Sequence, residues 1–158
     1  MNNIYCENEE KTKEFGQILG SFLGEGDVLC LSGGLGAGKT YLVKAIATVL
    51  GVNPSDVTSP TFSIMNIYKG KVGAIKHFDL YRLNNSEELE DIGFSEYAGN
   101  DGITFIEWGE LFADEMPTQH LNVKIIPEGV GRRIFLEPCG RHYEELCEKV
   151  WTFVNVRN

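Results

Sequence analysis

The sequence predicts an α/β fold in one domain spanning residues 1–158, with a sheet of mixed parallel and antiparallel strands flanked by helices. Three observations predict it. An apolar run, Val28-Leu29-Cys30-Leu31, ends at a glycine cluster, and a helical apolar period resumes at Leu42. Two further apolar pairs read as hairpins, which make part of the sheet antiparallel. Helical periods precede, follow and separate these runs, so helices are available to cover the sheet.

Phe15, Ile18, Leu19, Phe22 and Leu23 recur at i, i+3, i+4, i+7 and i+8, which makes residues 9–23 a helix stopped by glycine at 24 and 26. The run at 28–31 is short and wholly apolar, as in a buried central strand. Leu42, Val43, Ile46, Val49 and Leu50 form the next helical stripe, closed by Gly51. Asn53-Pro54 caps a short helical turn, and residues 58–62 form a polar loop broken by Pro60. Residues 62–68 and 72–79 read as strands joined at Lys69-Gly70-Lys71. Asn85 and Glu88 open a capped helix that ends before Gly93. Residues 103–106 form an apolar strand ending at Glu107-Trp108. Leu121, Val123 and Ile125 alternate, residues 128–131 turn, and residues 134–136 return. Tyr143, Leu146, Cys147, Val150, Trp151 and Val154 make an amphipathic C-terminal helix.

The net charge of −9 disfavours independent binding to a nucleic-acid backbone. Arg132, Arg133 and Arg141 lie close in sequence and read as scattered solvated charges. The four cysteines show no CxxC pair, so they read as reduced structural thiols of a cytoplasmic protein. The N-terminus lacks an apolar targeting segment, and no run approaches the roughly 18 residues of a membrane span.

Gly33-Gly34-Leu35-Gly36-Ala37-Gly38-Lys39-Thr40 matches the phosphate-binding P-loop pattern G-x-x-x-x-G-K-[ST] in full. Its glycines let successive backbone N–H groups turn towards a phosphate, and the following helix adds the positive end of its dipole. Lys39 can reach the β- and γ-phosphates, and Thr40 can offer a hydroxyl to Mg²⁺. Asp79 and Glu107 each end an apolar strand, where acids of a phosphoryl-transfer site usually sit. No Asn-Lys-x-Asp guanine-reading segment occurs, which favours ATP over GTP. His77 reads as a packed strand histidine before a proton shuttle. Two rivals share the loop: a small-molecule kinase, which lacks an arginine-rich lid here, and a nucleotide-dependent binding module with negligible hydrolysis.

With these residues in place, the chain resembles the TsaE family, also called YjeE or YdiB. The resemblance rests on GGLGAGKT at 33–40, SPTF at 59–62, HFDLYRL at 77–83, EELEDIGFSEY at 87–97 and IEW at 106–108. It covers about half the chain, from the first apolar strand to Trp108. It implies a P-loop ATPase with Mg²⁺ that supports threonylcarbamoyladenosine modification of tRNA in a cytoplasmic complex with TsaD and TsaB. tRNA is then reached indirectly, through the complex. By position it implies that Lys39 and Thr40 hold phosphate and Mg²⁺, and that Thr61 acts as a switch near the γ-phosphate. Asp79 and Glu107 become the essential acids, Glu107 on the metal and Asp79 on the attacking water, with the two roles exchangeable. Trp108 serves site packing or a partner surface. Gly34 departs from an acidic residue in the family pattern, and Tyr41 departs from a second threonine beside the phosphates. Weak turnover alone and faster turnover with partners are expected if the latter order residues 59–62.

Overall fold

The structure, a computed structural model, describes residues 1–34, 36–60 and 63–157. Chain order gives β1 (Asn3–Cys6), α1 (Glu9–Ser21), β2 (Val28–Ser32), α2 (Lys39–Val49), β3 (Met65–Gly70) and β4 (Gly73–Asp79). There follow α3 (Ser86–Asp91), α4 (Phe94–Tyr97), β5 (Ile103–Glu107), β6 (His120–Glu128), β7 (Gly131–Cys139) and α5 (Arg141–Arg157). Two 3₁₀ segments, Pro54–Asp56 and Gly109–Glu115, lie between them.

Among the described residues, seven strands form one sheet in the order β1-β7-β6-β2-β5-β4-β3. β2 is central and runs parallel to β5 and β6, while β3–β4, β6–β7 and β1–β7 pair antiparallel. Both expected hairpins therefore form within the expected mixed sheet. β1 is missed by periodicity because it is four residues long and only Cys6 in it is fully buried. β3 starts at Met65 rather than at 62. Ile64, with φ 69°, takes a left-handed conformation that cannot continue a ladder. Phe62 lies outside the described residues.

Side-chain alternation divides the core. Leu29, Leu31, Ile103, Phe105, Leu121 and Val123 pack on one face with α1, α2 and α5. Phe15 of α1 stacks on Trp151 of α5 at 5.6 Å between ring centroids. Val28, Cys30, Phe78 and Ile106 pack on the other face with Leu89, Phe94 and Phe112. The same period of two places His77 and Asp79 on the face of Ile75, and Glu107 on the face of Ile103 and Phe105, towards α2. Asn8 caps α1 by accepting from Lys11 N at 2.9 Å, and Asn85 caps α3 by accepting from Glu88 N at 3.0 Å.

Candidate functional site

The loop after β2 turns at Gly33, whose φ of 145° suits glycine and where a Cβ would lie 2.6 Å from the carbonyl oxygen of Ile125. It closes at Gly38, which enters α2 with φ 107° and no side-chain cap. A glycine here leaves the first N–H groups of the helix facing the loop, the arrangement that accepts an anion. Arg132, at the start of β7, donates Nε–H to the carbonyl of Ala37 at 2.8 Å and braces the loop from the side.

Lys39 is buried, and its ammonium donates to the carbonyl of Gly33 at 2.7 Å. The same ammonium lies 3.6 Å from the centroid of the Trp108 ring. Burial lowers the Lys39 pKa, while Glu107, Glu110 and Asp79 act in the opposite direction. The cation thus rests on one carbonyl and one aromatic face, partners that a phosphate oxygen can replace.

Thr40 donates Oγ1–H to Glu107 Oε2 at 3.0 Å, although 67 residues separate them in sequence. Parallel pairing makes the contact: Leu31 of β2 is in register with Glu107 of β5, which is in register with Asp79 of β4. Asp79 and Glu107 are 4% and 3% exposed, so both are carboxyl groups withheld from bulk water. Asp79 Oδ1 accepts from the backbone N–H of Tyr81 at 3.0 Å. Lys39, Thr40, Asp79 and Glu107 therefore gather at the carboxyl ends of β2, β4 and β5. That is where an α/β sheet places its ligand crevice.

No cluster of three histidine, cysteine, aspartate or glutamate side chains forms a metal cage among the described residues. One hydroxyl and one or two carboxylates are the partial donor set that suits Mg²⁺, which takes its remaining ligands from phosphate and water. Two non-glycine residues with positive φ flank the set, Ile64 at 69° and Trp108 at 63°. Each carries a backbone cost of about 1–3 kcal/mol that the surrounding fold must offset.

Trp108 is half-buried, packs on Tyr81 at 4.9 Å between centroids, and contacts Lys39. Tyr41 turns its hydroxyl to the carbonyl of Glu9 at 3.1 Å, tying α2 to the start of α1. Its ring lines a cleft of about 320 Å³ beside the loop, with Asn8, Glu9, Gly38, Val130 and Arg132. Leu35 and Thr61 lie outside the described residues. Sequence reasoning passed over two site neighbours. Arg132 read as a scattered charge, and only the β6–β7 register reveals its place. His77 read as packing, but its Nε2 lies 2.5 Å from Glu107 Oε2.

The family model for the threonylcarbamoyl adenosine biosynthesis protein TsaE matches residues 6–134. A relative from Bacillus subtilis (strain 168), named tRNA threonylcarbamoyladenosine biosynthesis protein TsaE, is 38% identical over 152 residues, covering 96% of this chain and 94% of its own. A relative of the same name from Aquifex aeolicus (strain VF5) is 41% identical over 111 residues, covering 70% and 78%. The crystal structure of Bacillus subtilis YdiB superposes with a TM-score of 0.79 at 31% identity, covering 96% of this chain and 94% of that one.

Proposed function

The chain belongs to the TsaE family, and on that premise we propose that it is a Mg²⁺-dependent ATPase serving tRNA threonylcarbamoyladenosine biosynthesis with TsaD and TsaB. The observation that carries this reading is the Thr40–Glu107 contact at the mouth of the glycine loop. It joins a metal-type hydroxyl and a strand-end carboxylate to a cradle that already holds a buried ammonium.

In this reading the loop amides and the N-terminus of α2 bind the β- and γ-phosphates. Lys39 leaves the Gly33 carbonyl and Trp108 for a phosphate oxygen. Thr40 and Glu107 hold Mg²⁺, which when bound neutralises charge developing on the phosphates. Asp79 orients the attacking water, its carboxylate fixed by the Tyr81 amide. The nucleoside end occupies the cleft beside Tyr41, Val130 and Arg132, which opens from the Gly38 end of the loop. Thr61 acts as the switch residue. Partners stimulate turnover, and tRNA is reached through them, since a chain of net charge −9 repels a phosphate backbone. The protein works in the cytoplasm. Among the described residues no helix is long and apolar enough to cross a membrane.

The test is nucleotide binding by calorimetry together with phosphate release in the absence of any acceptor. Lys39→Ala should abolish both. Glu107→Gln should lower turnover by at least about tenfold while changing nucleotide affinity far less. Phosphate release by Lys39→Ala at the wild-type rate refutes the cradle. Turnover that appears only with a small-molecule acceptor makes the protein a kinase.

A further inference from the structure

The Glu107 carboxylate has a second partner on the side away from Thr40. His77 is fully buried, and its Nε2 lies 2.5 Å from the same Oε2 that accepts from Thr40. Its other ring nitrogen, Nδ1, lies 3.1 Å from the hydroxyl of Tyr68. That hydroxyl lies 3.0 Å from the carbonyl oxygen of Thr58, in the segment that leads from the 3₁₀ turn to β3. A run of polar contacts of 2.5–3.1 Å thus leads from Thr58 through Tyr68, His77 and Glu107 to Thr40.

The proton inventory gives this line a direction. An Nε2–H donated to the carboxylate leaves Nδ1 as an acceptor. Tyr68 has one hydroxyl proton and faces two acceptors at nearly equal distance, His77 Nδ1 and Thr58 O. It can satisfy one at a time, so a shift of the imidazole alters the hold on Thr58. Further contacts hold the same segment, among them Thr58 N, which donates to the Tyr68 hydroxyl at 3.4 Å. Asn66 reaches the Thr58 carbonyl and hydroxyl at 3.4 and 3.3 Å, and Ile64 N donates to Pro60 O at 2.5 Å. Ile64 O in turn accepts from Asp79 N at 2.8 Å, so the segment is tethered to both acids of the site.

We propose that Tyr68 and His77 are positioning residues that link the backbone at Thr58 to the Glu107 carboxylate, so that metal capture and placement of residues 58–60 are one event. The inference rests on the Mg·ATP reading above. It adds two side chains that touch neither phosphate nor metal. Outer partners of a metal-site carboxylate typically govern its orientation, and their loss costs about 10- to 100-fold in activity or metal affinity.

The test is an NMR titration of Mg²⁺ into the protein loaded with a non-hydrolysable ATP analogue, following the backbone amides of Thr40, Thr58 and Ser59. In the wild type all three should respond with one apparent Mg²⁺ constant. In Tyr68→Phe the Thr40 response should persist while those of Thr58 and Ser59 shrink at least about fivefold, and kcat should fall about tenfold with KM nearly unchanged. His77→Gln, which can still donate to Glu107, should retain more activity than His77→Ala. A Thr58 response in Tyr68→Phe equal to that of the wild type overturns the linkage, as does a wild-type response at Thr40 without one at Thr58. Parallel losses in kcat, KM and melting temperature assign the two residues to packing alone. No response at Thr40 in the wild type refutes the nucleotide reading and this inference with it.

Discussion

At the scale of single residues, the site depends on side chains whose partners are remote in sequence. Arg132 is 95 residues from Ala37, yet its guanidinium bonds both the Ala37 carbonyl at 2.8 Å and the carbonyl of Gly131 at 3.0 Å. It therefore holds the loop against the β6–β7 hairpin while lining the cleft proposed for the nucleoside. Removing a charged donor from a part-buried carbonyl costs about 1.5–3 kcal/mol. Arg132→Ala should accordingly lower the melting temperature by roughly 3–10 °C and, by loosening the loop, raise the dissociation constant for ATP about tenfold, read by calorimetry. Arg132→Lys should recover little, because an ammonium cannot reproduce the fork that serves two carbonyls at once. The P-loop and the two acids were legible in the sequence because each depends on a local pattern, a glycine spacing or a strand end. The places of Arg132 and Tyr68 were not, and His77 read as packing before a proton shuttle, because their partners are set by cross-strand register.

At the scale of elements, most boundaries followed from periodicity and caps. The Asn85–Glu88 cap, the strand to Leu31 and the C-terminal helix all stand where the pattern puts them. The helical stripe of α1 also predicted its buried face, but not how near α2 approaches. That depends on Gly16 and Gly20, which an apolar period ignores. A Cβ at Gly20 would lie 2.4 Å from Val49 Cγ2 and 2.8 Å from the backbone carbonyl of Ile46. Backbone cannot yield as a side chain can, so Gly20→Val must push α1 away from the helix that begins at Lys39. Overpacking of this kind costs about 1–3 kcal/mol. The melting temperature should drop by roughly 3–10 °C in a scanning experiment. A drop of under a degree would mean that the α1–α2 contact is looser than these distances.

At the scale of the whole molecule, β2 connects the site to the core. Its residues carry the glycine loop at one end and alternate between the two apolar layers along their length. Cys30 lies in this strand, 7% exposed, and burial pushes its thiol pKa up to about 12. Burial likewise pushes Cys147 up to about 11 and raises Cys6, whereas Cys139 is exposed. A thiol whose folded pKa exceeds its unfolded value of 9.0 stabilises the native state fully below that pH. The contribution is then lost as pH climbs towards 12, because the unfolded chain releases the proton first. Stability should therefore fall through this alkaline window. At pH 8 the native protein should expose one thiol, Cys139, to a disulfide reagent. The other three of its four cysteines should react only as the fold opens. Mg·ATP at about 100 times its dissociation constant should slow that second phase about 100-fold, since it binds the folded state alone. Slowing by nucleotide in the wild type and none in Lys39→Ala would tie the opening of the central strand to occupancy of the loop at its end. Prompt reaction of a second thiol would show instead that one of the buried layers opens locally.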